Sequence, residues 1–134
     1  MDQFTNTHQN LNAPEKPGLV TALGIMTLAN GIINILYGLS ITASIVVGTI
    51  GIGLICAPVT ILPVILGVFE ILYAVKIIAN PPQPVQFSQT IAILEIVTVI
   101  SGNGLSLIVG ILALVFGNDQ RVQEYFSAIN QPAA

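Results

Sequence analysis

Apolar residues run almost without interruption from Gly18 to Asn118, and only Glu70, Lys76 and Glu95 carry charge in that stretch. The runs are continuous, whereas the strands of an outer-membrane barrel would alternate apolar and polar positions. About 20 apolar residues cross a bilayer once as a helix, so the stretch is long enough for several crossings. The pattern predicts an all-α transmembrane helical bundle of four spans, at about 19–41, 58–79, 85–101 and 104–117.

The breaks between the runs have local causes. Pro58 fits the first turn of a helix, and Pro63 is expected to kink the turn above it. Pro81, Pro82 and Pro84 forbid helix and make a short extended connector. Ser101-Gly102-Asn103-Gly104 is a turn signal. The pair of runs on either side of it is short and reads as a spanning hairpin, with a re-entrant hairpin as the alternative. Thr42–Ala57 is apolar but holds Gly48, Gly51 and Gly53. A fifth span, an extension of its neighbours and an apolar surface loop all fit that segment.

Polar residues gather at the ends. Residues 1–18 read as a polar, flexible tail with no basic leader for a cleavable signal, and Asp2 stands where N-myristoylation needs glycine. Residues 118–134 read as a cytoplasmic tail in which Val122, Tyr125, Phe126 and Ile129 line one face of a short amphipathic interfacial helix. Charged side chains make up 7% of the chain, three basic and six acidic, for a net charge of −3. That balance leaves no basic patch for nucleic acid. With four spans, Lys16, Lys76 and Arg121 fall on one side, which predicts a multi-pass cell-membrane protein with both termini in the cytoplasm.

Helices in lipid gain little from the hydrophobic effect and associate through small residues and polar contacts. Each predicted span carries one such stripe. Gly24, Gly31 and Gly38 recur on the first, beside Thr27, Asn30, Asn34 and Tyr37. Pro63, Gly67, Glu70 and Ala74 share a face of the second, with Tyr73 flanking. The third offers Ser88, Ala92, Glu95, Thr98 and Gly102, and the fourth Ser106, Gly110, Ala113 and Gly117. A faint repeat links two of them. GIINILYGLSI (Gly31–Ile41) aligns with GVFEILYAVKI (Gly67–Ile77), placing Asn34 over Glu70 and Tyr37 over Tyr73, and GILALVFG (Gly110–Gly117) keeps the same rhythm.

Glu70 and Glu95 are the sharpest chemical signal. A charge at a helix centre costs roughly 2.5–3.5 kcal/mol on insertion scales. Counted from the proline connector, both lie ~14–15 Å deep at 1.5 Å per residue, on consecutive antiparallel spans. Two carboxyl groups sharing one site are not expected to be ionised together. They can share a proton, bind a cation, or accept hydrogen bonds from Asn30, Asn34 or Tyr37. Lys76 most simply snorkels to the interface, with a salt bridge to Glu95 as the alternative.

Other chemistry finds no constellation of residues. The single histidine, His8, lies in the polar tail, and the single cysteine, Cys56, sits in an apolar segment. No metal site, cofactor or catalytic residue is therefore expected. The segments KPGLVTALGIM, EIVTVISGNGLSLIVGILALVF and NDQRVQEYF together resemble a family of small four-span bacterial membrane proteins, over residues 16–126. The resemblance implies fold and location and supplies no site residue. The expected function is non-catalytic, by helix association in the lipid bilayer. The chain would be an accessory subunit beside other membrane proteins or a homo-oligomer. The alternative is a small proton- or cation-coupled transporter or channel using Glu70 and Glu95.

Overall fold

Pro17 ends the polar leader, and the first helix, α1 (Gly18–Gly48), starts at the next residue. A computed structural model describes residues 14–131; His8 and the rest of the leader up to residue 13, and residues 132–134, lie outside the described residues. At 31 residues, α1 is ~46 Å long at 1.5 Å per residue. It continues past Ile41 because no proline or glycine interrupts the chain before Gly48. The chain then reverses through Ile50 and Gly51, both at positive φ, 53° and 86°. A 3₁₀ segment (Ile52–Cys56) leads into α2 (Ala57–Thr60) and α3 (Leu62–Ile78). The segment Thr42–Ala57 is thus divided between its neighbours as helix extension and turn. The break at Ile61 lies two residues before Pro63, whose missing N–H and ring disturb the preceding turn.

The three prolines keep the connector non-helical. Helix α4 (Gln89–Val97) starts later than residue 85 because Ser88 caps it, its hydroxyl accepting from the Ile91 N–H at 3.3 Å. A 3₁₀ turn (Thr98–Ser101) and Gly102, at φ 85°, lead to α5 (Gly104–Gly117). Asn103 caps α5 by accepting from the Ser106 N–H at 3.3 Å. The last helix, α6 (Gln120–Ile129), turns away from α5 by 77°. All secondary structure among the described residues is helical. By length and composition Gly18–Gly48 and Ile52–Ile78 can each cross a membrane, and a third crossing is possible if α5 and α6 count as one bent span. Gln89–Ser101 is apolar but shorter.

Helices α1 and α3 pack face to face on their small-residue stripes. A Cβ added at Gly31 would stand 2.8 Å from the Gly67 carbonyl, 2.9 Å from Ile71 Cγ1 and 3.0 Å from Glu70 Cβ. One added at Gly67 would meet the Gly31 carbonyl, Ile35 Cγ1 at 2.9 Å and Asn34 Cβ at 3.1 Å. The two lists exchange when the helices are swapped, so the crossing has a local two-fold axis, and it superposes the repeat read in the sequence. Gly24 and Gly38 pack on Ile78 and Val64 above and below that point. Helices α4 and α5 repeat the arrangement: a Cβ at Gly110 would lie 2.6 Å from the Ala92 carbonyl, 2.9 Å from Ile96 Cγ1 and 3.0 Å from Glu95 Cβ. Gly117 leaves room for the Phe87 ring.

The end of the bundle near the termini is closed by two devices. Lys16 Nζ donates to the carbonyls of Ile77, Ile78 and Ala79 at 2.9, 3.0 and 3.0 Å. These acceptors lie at the carboxyl end of α3, where an ammonium also opposes the helix dipole. Partial burial lowers the pKa of Lys16 from the usual lysine value. Helix α6 turns Val122, Tyr125 and Phe126 against Val20, Leu23, Ile77, Ala92 and Ala113. Its aromatic pair is therefore buried beneath the bundle, against Phe87 at a centroid distance of 6.5 Å.

Gly31→Leu and Gly110→Leu should each lower thermal stability in detergent, by about 1–3 kcal/mol or more, because a side chain must force the backbones apart. Leu36, 61% exposed on the outer face, should tolerate Leu36→Val within about 0.5 kcal/mol. Glycine variants as stable as the parent would show that these crossings are not close.

Candidate functional site

The α1–α3 crossing places Asn30 and Asn34 directly beside Glu70. Asn30 Nδ2 donates to Glu70 Oε1 at 3.2 Å, and Asn34 Nδ2 donates to Oε1 and Oε2, both at 3.0 Å. A carboxyl taken out of water needs such donors, since hydrocarbon offers none. The asparagine carbonyls are used as well. Asn34 Oδ1 accepts from Asn103 Nδ2 at 2.5 Å and from Ser106 Oγ at 2.8 Å. Ser106 Oγ also lies 3.2 Å from Asn30 Oδ1. The network therefore ties α1 to α3 on one side and to the start of α5 on the other.

Glu95 comes to the same place from α4. Its carboxyl lies against Glu70, Asn30 and Tyr73, and both glutamates are 0% exposed. Among the described residues no donor meets either Glu95 oxygen. Glu70 takes the amide hydrogens that are engaged, and the unengaged donors nearest Glu95 are the second Asn30 amide hydrogen and the Tyr73 hydroxyl.

Two tyrosines fix α4 over the crossing. Tyr37 donates to the Ser101 carbonyl at 2.7 Å, and the Tyr73 hydroxyl accepts from the Ser88 N–H at 2.9 Å. These are the tyrosines that the repeat aligns, and Glu95 lies midway between the two serines they hold. The local two-fold of α1 and α3 thus positions both ends of α4 and sets Glu95 over Glu70.

The residues singled out in the sequence divide accordingly. Asn30, Asn34, Glu70 and Glu95 form one buried cluster. Tyr37 lies one turn beyond Asn34, level with the tip of the α4–α5 hairpin, and bonds there instead of to a carboxyl. Lys76 is exposed beside Val85 and Gln86, because position 76 points away from the face that carries Glu70, Ala74 and Ile77. It lies outside the cluster and away from Glu95. Gly24, Gly31, Gly38, Gly67, Gly110 and Gly117 are all buried. Asn103 and Ser106 belong to the network although the sequence presents them as a turn residue and a small residue. Their only sequence signal is polarity next to an apolar run. Cys56 is exposed at the end of the molecule far from the described termini.

No protein-family model matches the chain, and no curated protein or solved structure is significantly similar to it.

Removing one network member should register by its position. Ser106→Ala removes one donor shared by two carbonyls and should cost about 0.5–1.5 kcal/mol. Asn103→Leu should cost more, about 1–3 kcal/mol, since it also removes the cap of α5. Unfolding of both variants in bicelles measures the difference, and equal stability of parent and variants would mean the network contributes nothing.

Proposed function

We propose that the chain is a non-catalytic, four-span membrane protein that works by helix association, within a larger membrane assembly or with its own copies. The spans are α1, Ile52–Ile78, Gln89–Ser101 and α5, with both termini and the proline connector in the cytoplasm and α6 at that surface. Lys16, Lys76 and Arg121 all fall on that side, in keeping with the positive-inside pattern.

The observation that carries this reading is the apolar tip opposite the termini. A 31-residue helix exceeds a ~30 Å hydrocarbon core by ~16 Å, and the excess is apolar apart from Ser40, Thr42 and Ser44. Ile50 and Ile55 are 95% and 82% exposed there, with Val47 and Ile52 beside them. An apolar groove of about 210 Å³ between α3 and α4, lined by Leu62, Phe69, Leu94 and Val97 among others, continues that surface along the flank. A contiguous apolar surface beyond the hydrocarbon is the mark of an interface. The side chains of Asn30, Asn34, Glu70, Glu95 and Ser106, in contrast, are turned inward on one another.

A second reading, a small proton- or cation-coupled carrier, is favoured by the unpartnered Glu95. Under it, Glu70 and Glu95 are the coupling groups.

The association reading predicts a stoichiometric partner or a homo-oligomer when the full-length protein is purified in mild detergent. Ile50→Ser with Ile55→Ser should release it while leaving the thermal stability of the chain itself nearly unchanged, because both side chains are exposed. A lone monomer, or retention of the partner by the double variant, would contradict it. In intact cells an impermeant maleimide should label Cys56 in the Ile50→Ser, Ile55→Ser variant, where the partner is released, and should fail to label Asn130→Cys in a Cys56→Ala background. The opposite pattern would overturn the orientation.

A further inference from the structure

The two hairpins of the molecule use one crossing but do not fill it alike. Around Gly31 and Gly67, the polar positions three residues on are Asn34 and Glu70, and each finds the other across the two-fold axis. Around Gly110 and Ala92 the corresponding positions are Ala113 and Glu95. The second hairpin thus carries the carboxyl without the amide. Glu95 is turned instead toward the first hairpin, where the Asn34 amide and one contact from the Asn30 amide are directed at Glu70, and Asn30 also lies beside Glu95. Ser106 is likewise engaged, with the carbonyls of those two asparagines. Thr98 donates to the backbone carbonyl of Glu95 at 2.6 Å and not to its carboxyl.

We infer that Glu95 is a proton-binding site: its carboxyl carries one proton and donates it to the Glu70 carboxylate. Neither Glu95 oxygen has a hydrogen-bond partner; the O–H supplies a donor within the carboxyl pair itself, and Glu70 accepts it alongside the asparagine amides. The proton comes from water and returns to it, with no bond made or broken other than O–H. The site retains a single negative charge, spread over a carboxylate that three amide hydrogen bonds and one O–H stabilise. The alternative, two facing carboxylates with no donor between them, sets like charges together in a sealed, low-dielectric interior. The other titratable group beside Glu95 is Tyr73 from α3, whose hydroxyl oxygen accepts from the Ser88 N–H. From α1 the neighbouring polar group is Asn30, which is neutral.

This inference does not rest on the association reading, since a held proton is compatible with a docked bundle and with a carrier. The test is infrared spectroscopy of the full-length protein in lipid vesicles at neutral pH, with carbon-13 in the glutamate side-chain carboxyls. One carbonyl band of a protonated carboxylic acid is expected, shifted by the label. Glu95→Gln should abolish it while the protein remains folded, since the glutamine amide makes the same donation to Glu70. Ile50→Ser with Ile55→Ser should leave it intact, which separates this result from the fate of the association reading. A wild-type protein without the band overturns the inference. A band that survives Glu95→Gln also overturns it, because the proton then belongs to another carboxyl. Should Glu95→Gln fail to fold, Glu95→Asp serves in its place: the acid band then belongs to an unlabelled aspartate and should lose its carbon-13 shift, and a band that keeps the shift would count against the inference equally.

Discussion

Everything else in this molecule depends on how closely α1 and α3 approach at Gly31 and Gly67. In a bilayer, which the two long apolar helices could span, lipid tails are as apolar as leucine, so burying leucine between helices would gain little. What does gain is contact between backbones and the meeting of polar side chains that hydrocarbon leaves unsatisfied. Two facing glycines permit the contact, and one turn away the same geometry delivers Asn34 to Glu70. A larger residue at either glycine would separate the amide from the carboxylate as well as loosen the packing. The steric fit and the polar fit are one constraint.

The rest follows by extension of that pair. Its two-fold symmetry gives two equivalent tyrosines, which hold the two ends of α4 and thereby position Glu95. Asn103 serves twice, capping α5 and donating to Asn34, so the short hairpin is tied in where it turns. Lys16 secures the last carbonyls of α3, and α6 covers the same end with Val122, Tyr125 and Phe126. Polar groups thus mark the joints of the bundle, and apolar groups form its skin.

Much of this is legible in the chain because small residues at helical spacing have few other uses in an apolar helix. The stripe through Gly24, Gly31 and Gly38, the meeting of Glu70 and Glu95, and the alignment of Asn34 with Glu70 can all be read from spacing. What cannot be read is who answers whom. Asn103 and Asn34 are 69 positions apart, and nothing local says that the amide of a turn residue will reach back to α1. Lys16 looks like a topology marker until α3 is seen to end against it. Tyr125 and Phe126 have the spacing of an interfacial helix, but the 77° bend after α5 directs them under the bundle. Local pattern specifies which faces are buried, and the tertiary arrangement decides their partners.

The central claim is that the Asn34–Glu70 pair couples α1 to α3. A double-mutant cycle of Asn34→Leu and Glu70→Leu, with unfolding measured in bicelles, tests it most directly. Polar pairs between membrane helices average about 0.6 kcal/mol and reach about 1.7 kcal/mol in such cycles. A pair joined by two hydrogen bonds at the close crossing should lie near the upper value, about 1–2 kcal/mol. A coupling indistinguishable from zero would contradict the account, because the two side chains would then not depend on one another.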